Sequence, residues 1–124
     1  MKVRNLILGE PLPDALKTGF ESCQCDPRWI WVVEHDGKLT GLLAVAPAHV
    51  FVILLRIVMT EDAGTTDARA LLAESVAEIK RRGYRAYLTW VNPENRAEAQ
   101  LMSIVERSGG MAMSEKQVLC WGKV

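Results

Sequence analysis

Val50-Phe51-Val52-Ile53-Leu54-Leu55-Arg56-Ile57-Val58-Met59, followed at once by Thr60-Glu61-Asp62-Ala63-Gly64-Thr65-Thr66, is the passage on which the fold turns. Its first part holds a single charge and does not alternate, so it reads as a central strand covered on both faces. The second part is polar, and its closing hydroxyls suit the cap of a helix. Ala68, Leu71, Leu72, Ser75, Val76 and Ile79 then recur at helical spacing, with Glu74, Glu78 and Arg81 off that stripe. Lys80, Arg81 and Arg82 suit the helix dipole in the last turn, and Gly83 stops the helix.

Toward the N-terminus, residues 29–34 are aromatic and β-branched and predict a strand. His35-Asp36-Gly37-Lys38 supplies the Asp-Gly pair of a tight hairpin, because both central residues take φ > 0. Residues 39–46 return antiparallel, and Pro47-Ala48 mark the turn into the apolar strand. Further back, residues 2–8 form a first strand ended by Gly9. Pro11 and Pro13 introduce a helix over 14–21, and residues 23–28 are a loop. Toward the C-terminus, residues 84–91 form another strand. Asn92-Pro93-Glu94-Asn95 caps a second amphipathic helix bearing Ala97, Leu101, Ile104 and Val105, closed by Gly109-Gly110. A final hairpin over 111–121 turns at Ser114-Glu115-Lys116. Strand, helix, three strands, helix, strand, helix and hairpin make a mixed α/β (α+β) layer fold in one domain, 1–124.

The chain has 124 residues, enough for one continuous core, and its 15 basic and 15 acidic residues cancel. That balance excludes the electrostatic footprint of a nucleic-acid binder. The apolar stretch 42–59 is broken by Pro47, His49 and Arg56, so it reads as two buried strands and no membrane partner is expected. Cys23, Cys25 and Cys120 are an odd number without framework spacing, and the first residues have no secretory pattern. The expected compartment is the reducing cytoplasm. Cys23-Gln24-Cys25 has no ligand pair to complete a zinc site, so no metal is expected. Trp29, Trp31, Trp90 and Trp121 fall on strands as core or interface packing. Arg56 requires either a carboxylate partner or a strand face turned to a cleft or a partner chain.

The element order is similar to that of the GNAT superfamily of N-acetyltransferases. The most specific local echo is Val91-Asn92-Pro93-Glu94-Asn95-Arg96-Ala97 with its helix ending in Gly109-Gly110; the Asp36-Gly37 hairpin leading into residues 42–46 adds to it. The likeness covers residues 29–121. It implies an acyl-CoA N-acyltransferase fold with a central mixed, mostly antiparallel sheet flanked by helices. The strand over 50–59 should splay from the strand over 84–91, and acetyl-CoA, the implied cosubstrate, pairs with the exposed strand backbone.

By this resemblance Ile57, Val58 and Met59 hold the pantetheine end, while Ala63, Gly64, Thr65 and Thr66 cradle the pyrophosphate. Arg69, Asn92 and Asn95 complete the binding set, and Glu61 and Asp62 are the candidate catalytic bases. The acceptor is a small-molecule amine or a protein amino group. The chain departs from the family pattern where Glu61 replaces a cation or amide and Thr66 a second small residue. Glu61, Asp62 and Asp67 together place three carboxylates where a diphosphate would dock. The leaving-group Tyr is replaced by Met102 or Val105, depending on the count. These departures define an alternative: a GNAT-fold structural or interaction protein without the chemistry, in a homo-oligomer or protein assembly. Shortened chains of this kind resemble small proteins associated with tailed-phage virions.

Overall fold

The protein is described here from a computed structural model that defines residues 1–21, 26–91, 94, 99, 103, 111–112 and 118–123. The elements in chain order are β1 (Lys2–Asn5), α1 (Asp14–Glu21), a 3-10 turn (Pro27–Trp29), β2 (Ile30–His35), β3 (Lys38–Ala48), β4 (Phe51–Met59), α2 (Thr65–Arg81), β5 (Ala86–Val91), β6 (Met111–Ala112) and β7 (Val118–Lys123). Among the described residues the strands form one sheet in the order β1-β2-β3-β4-β5-β7-β6. Only β4 and β5 run parallel, with α2 as the crossover between them. The mixed, mostly antiparallel sheet matches the expected fold class.

Each face of the sheet carries its own core. Val33, Leu43, Val45, Val52 and Leu54 point to the α2 side and meet Leu71, Leu72 and Ile79 of the helix. Ile30, Val32, Leu42 and Ala44 point the other way and meet Leu16 of α1. These parities follow the two-residue period of the strands. A second packing unit stands at the edge of the α2 face. Trp29 meets Trp31 and Tyr84 edge-on, and the Arg82 guanidinium lies over both indoles at 4.7 and 4.9 Å. Arg82 also donates to the carbonyl of Arg28 and to Asn5 Oδ1.

Several expectations need correcting. The strand over 2–8 ends at Asn5; residues 27 and 28, expected as loop, and Trp29, expected to open the next strand, make a 3-10 turn that Asp26 caps through the Arg28 amide. Pro47-Ala48 is not a turn: β3 continues to Ala48, opposite Phe51, and the reversal falls on His49 and Val50. His49 takes the left-handed φ of 57° that such a short connection demands and that proline's ring forbids. The Asp36-Gly37 turn is as expected, with φ of 52° and 79°. Gly83, at φ 98°, ends α2. The helix expected between the Asn92-Pro93-Glu94-Asn95 cap and Gly109-Gly110 lies outside the described residues except for Ala99 and Ser103, both helical. The turn at 114–116 is outside them altogether, as are Cys23 and Cys25.

Two bulges shape the sheet. Between Val33 and Glu34 the β2–β3 register slips, so Thr40 has no partner in β2. Between Ala44 and Val45 the β3–β4 register slips, so Leu55 has none in β3. The second bulge also corrects the picture of residues 50–59 as covered on both faces. Val52 and Leu54 are buried, whereas Leu55 is 44% exposed and Arg56 lies in solvent.

Candidate active site

The β4–β5 ladder pairs Phe51–Leu54 with Ala86–Thr89 and stops there. On its other side β4 remains paired with β3 as far as Met59. From the Leu55 bulge onward, therefore, β4 has a partner on one edge only among the described residues. Ile57 and Met59 turn their side chains to the α2 core and Val58 to the α1 core, so what the split leaves open is main chain. The splay expected for residues 50–59 and 84–91 is present, and it begins at the bulge.

The loop that follows is built on Thr60. Its amide donates to the Thr40 carbonyl at 2.9 Å, continuing the sheet for one more step, and its carbonyl accepts from the Ala63 amide. Its hydroxyl lies 2.7 Å from Asp62 Oδ1 and 3.3 Å from the Thr40 carbonyl; with one proton to give, the shorter, charge-assisted contact is favoured. Asp62 is exposed, and the Thr60 hydroxyl, aided by the aspartate's own backbone, holds its carboxyl below the ordinary carboxylate range. Glu61 is exposed beside it and has no hydrogen-bonded partner among the described residues.

Gly64, not a hydroxyl residue, is the N-cap of α2, and no side chain caps the helix. Thr65 and Thr66 are helical residues of the first turn, which corrects the expectation that their hydroxyls would serve as caps. The Asp67 amide reaches back to the Gly64 carbonyl, while those of Thr65 and Thr66 have no acceptor among the described residues. Helix N-terminal amides left in this state, with the dipole behind them, favour an anion. Arg69 is exposed on the same helix. Asn92 and Asn95 lie outside the described residues.

Asp67 differs most from its expected role. It is 3% exposed and held by the β2–β3 hairpin. One carboxylate oxygen lies 2.9 Å from His35 Nδ1, and the other accepts from the Thr40 hydroxyl at 3.0 Å. Burial pushes the Asp67 carboxyl up, but the bonds from His35 and Thr40 together outweigh it and hold the group below its usual range. The hydrogen bond to Asp67 raises His35, and the charges of Asp67 and Asp36 add to it. Of the three carboxylates expected to face a diphosphate, then, Asp67 is engaged by the hairpin, and Glu61 and Asp62 are the two that stand exposed. Sequence reasoning missed His35 and Thr40 as the partners that turn Asp67 inward. Only the position of His35 at the mouth of the Asp-Gly hairpin hinted at it.

A groove of about 550 Å³ runs beside the loop, lined by Arg4, Glu10, Leu12, Glu34, Lys38 and Asp62 among others. Of its two cations, Arg4 and Lys38, Arg4 is already held, doubly by Glu10 at 2.8 and 2.9 Å and loosely by Glu34 at 3.7 Å. Among the described residues no cluster of His, Cys, Asp and Glu has the makings of a metal site, and no helix is long and apolar enough to cross a membrane.

No family model and no curated protein sequence matches the chain. Solved structures do. The ribosomal-protein-S18-alanine N-acetyltransferase of Escherichia coli is similar over 99% of this chain and 93% of its own, with TM-score 0.75 and 15% identity. A GNAT family acetyltransferase from Elizabethkingia anophelis, solved with acetyl-CoA bound, is similar over 99% and 97%, with TM-score 0.75 and 12% identity. Ard1 from Thermoplasma volcanium is similar over 99% and 97%, with TM-score 0.72 and 12% identity. At such identities the likeness is one of fold, and the fold is that of the GNAT acetyltransferases.

Proposed function

We propose, from the fold shared with the GNAT acetyltransferases, that this chain binds acetyl-CoA in the split between β4 and β5 and transfers its acyl group to an amine. The observation that carries the reading is the end of the β4–β5 ladder at Leu54 and Thr89. Beyond it, among the described residues, no strand pairs with this edge of residues 55–59, and an extended, amide-bearing arm would take that place as an added strand. Ile57, Val58 and Met59 supply those backbone groups. Ala63, Gly64 and the open amides of Thr65 and Thr66 take the pyrophosphate, with Arg69, Asn92 and Asn95 completing the set. A β-carbon on Gly64 would come within 4 Å only of the Thr66 amide nitrogen, at 3.9 Å, so the approach to these amides is unobstructed.

In the transfer the amine nitrogen bonds to the acyl carbon, the carbon–sulfur bond breaks, and the thiolate leaves with the proton that the amine gives up. Asp62 is a weak base where it stands, because its bond from Thr60 stabilises the charged form. Glu61, without such a bond, is the better candidate of the two. Acceptors of the expected class are small amines or protein amino groups.

Isothermal titration with acetyl-CoA, paired with an assay for released thiol, tests this reading. Saturable heat and amine-dependent thiol release are the expected results, and no heat at millimolar acetyl-CoA would remove it. The second reading, a GNAT-fold interaction protein without turnover, draws on the exposed, ionised Asp62 beside the open amides, where it opposes a phosphate. That reading expects no heat from acetyl-CoA and a specific protein complex instead.

A further inference from the structure

Arg56 is the one charged residue in β4, a strand flanked on both sides within the sheet. It pairs across the register with Ala44, and its neighbour Val58 pairs with Leu42; Ala44, Leu42 and Val58 all belong to the α1-side core, which places Arg56 on the α1 face. Unlike them it lies in solvent, immediately after the unpaired Leu55. No hydrogen bond or ion pair engages its guanidinium among the described residues, although Arg4, Arg28, Arg81 and Arg82 all have carboxylate partners there.

An arginine in the middle of a sheet with its five donors uncommitted is arranged for an anion that comes from outside. Its place along the strand says which anion. Arg56 and Met59 are three residue steps apart, roughly 10 Å of extended chain, and the uncapped start of α2 lies further still along the chain. A pyrophosphate at that helix is out of reach of Arg56. The guanidinium stands instead where the ladder opens, at the far end of the free main chain from the phosphate-binding amides.

We propose that Arg56 binds an anionic group of the acyl acceptor, and that the acceptor is a small amine carrying a carboxylate near its nitrogen, as an amino acid does. This rests on the acetyl-CoA reading above. A carboxylate accepts two parallel N–H bonds from a guanidinium, which fixes the direction as well as the position of the molecule. The amine is then held a bond or two away, free to attack the thioester. Amide-bond formation consumes the amine and not the carboxylate, so the pair with Arg56 persists in the product.

The experiment uses the full chain and acetyl-CoA, with thiol release as readout. Alanine and glutamate are compared with alaninamide and the glutamate dialkyl ester, which keep the amine and lose the negative charge. Expected is a ten- to hundredfold preference in kcat/KM for the acids, the scale of a lost charge-assisted hydrogen-bonded pair. Arg56→Gln should abolish the preference mainly through KM, and Arg56→Lys should restore part of it. Because Arg56 is exposed, both variants should fold, with circular dichroism and thermal melting as the control. Equal rates for the acids and their neutral analogues, or a preference unchanged in Arg56→Gln, would overturn the proposal. So would binding of acetyl-CoA with no acetylation of any amino acid. In those three cases heat from acetyl-CoA still supports the broader reading, whereas no heat removes both.

Discussion

Replacing Gly41 with alanine probes the geometry beside Met59, at the end of β4 away from the bulge. An ideal β-carbon at this position would lie 2.7 Å from Met59 Sδ, 2.8 Å from Met59 Cε and 2.9 Å from Val33 Cγ1. Comfortable separations between such atoms are about 3.5–4.0 Å, so each contact is roughly 1 Å too close. The two obstacles differ in kind. Methionine has three rotatable bonds beyond its backbone and can withdraw. Val33 is β-branched, fully buried and packed in the α2-side core, so its methyl has no alternative position. Overpacking of this sort costs about 1–3 kcal/mol, partly offset by the ~0.5–1 kcal/mol that alanine gains over glycine in the unfolded chain. We expect a net loss of about 1–2 kcal/mol, a fall in Tm of roughly 4–8 °C for a domain of this size. Urea denaturation of the wild type and Gly41→Ala measures it. Double-mutant cycles then separate the obstacles: coupling to Val33→Ala should be about 1 kcal/mol, and to Met59→Ala below about 0.5 kcal/mol. Unchanged stability in Gly41→Ala, or stronger coupling to Met59 than to Val33, would refute the reasoning.

The His35–Asp67 pair makes stability depend on pH in two windows, one above neutrality's acid edge for His35 and one in the acid range for Asp67. His35 is raised from 6.5, so its contribution is fully present below that unfolded value and is lost as pH rises through the higher folded value. Asp67 is lowered, so its contribution is present above about 3.9 and is lost as pH falls through the folded value. Thermal melts of wild type and His35→Gln across pH 5–9 should converge at the alkaline end and diverge toward the acid one. If acetyl-CoA docks on the start of α2, Asp62→Asn should raise its affinity severalfold, with the gain shrinking at high salt in calorimetric titrations. Arg82→Ala removes the cation from two indole faces together with the bonds to Arg28 and Asn5, and should lower unfolding free energy by about 1–2 kcal/mol in urea melts. Arg82→Lys should recover only part of it.

The parts of this fold legible in the sequence are those with a local cause. Asp36-Gly37 announces its turn because the backbone angles of the tight hairpin select those residues, and Gly83 ends α2 for the same kind of reason. The apolar run before Met59 identifies a strand between two others. What stayed hidden depends on partners far away in the chain. A bulge is a slip of register between two strands, and the alternation within one strand does not record it. Arg56 was its trace, a charge out of place in an apolar run and exposed because the strand beside Leu55 is irregular. Asp67 was misjudged for a related reason. Its position three residues after Gly64 makes it a typical first-turn acid, and nothing nearby tells that a hairpin 32 residues earlier turns it inward. The turn at His49 was missed because proline is the louder signal for a turn, though here it sits inside the strand.

The shortness of the parallel ladder bears on how the molecule holds together. Seen from its edge the sheet is a book with two leaves, β1 to β4 on one side and β5, β7 and β6 on the other. The spine is four residue pairs long, extended by the bond from the Arg85 amide to the Val50 carbonyl. Past Leu54 and Thr89 the two leaves no longer pair with each other among the described residues. An occupant bonded to β4 and lying against the second leaf serves as additional binding for the book. Under the proposed function, such a ligand would be felt as rigidity well beyond the atoms it touches, because it would lengthen the one seam that, among the described residues, joins the two halves of the sheet.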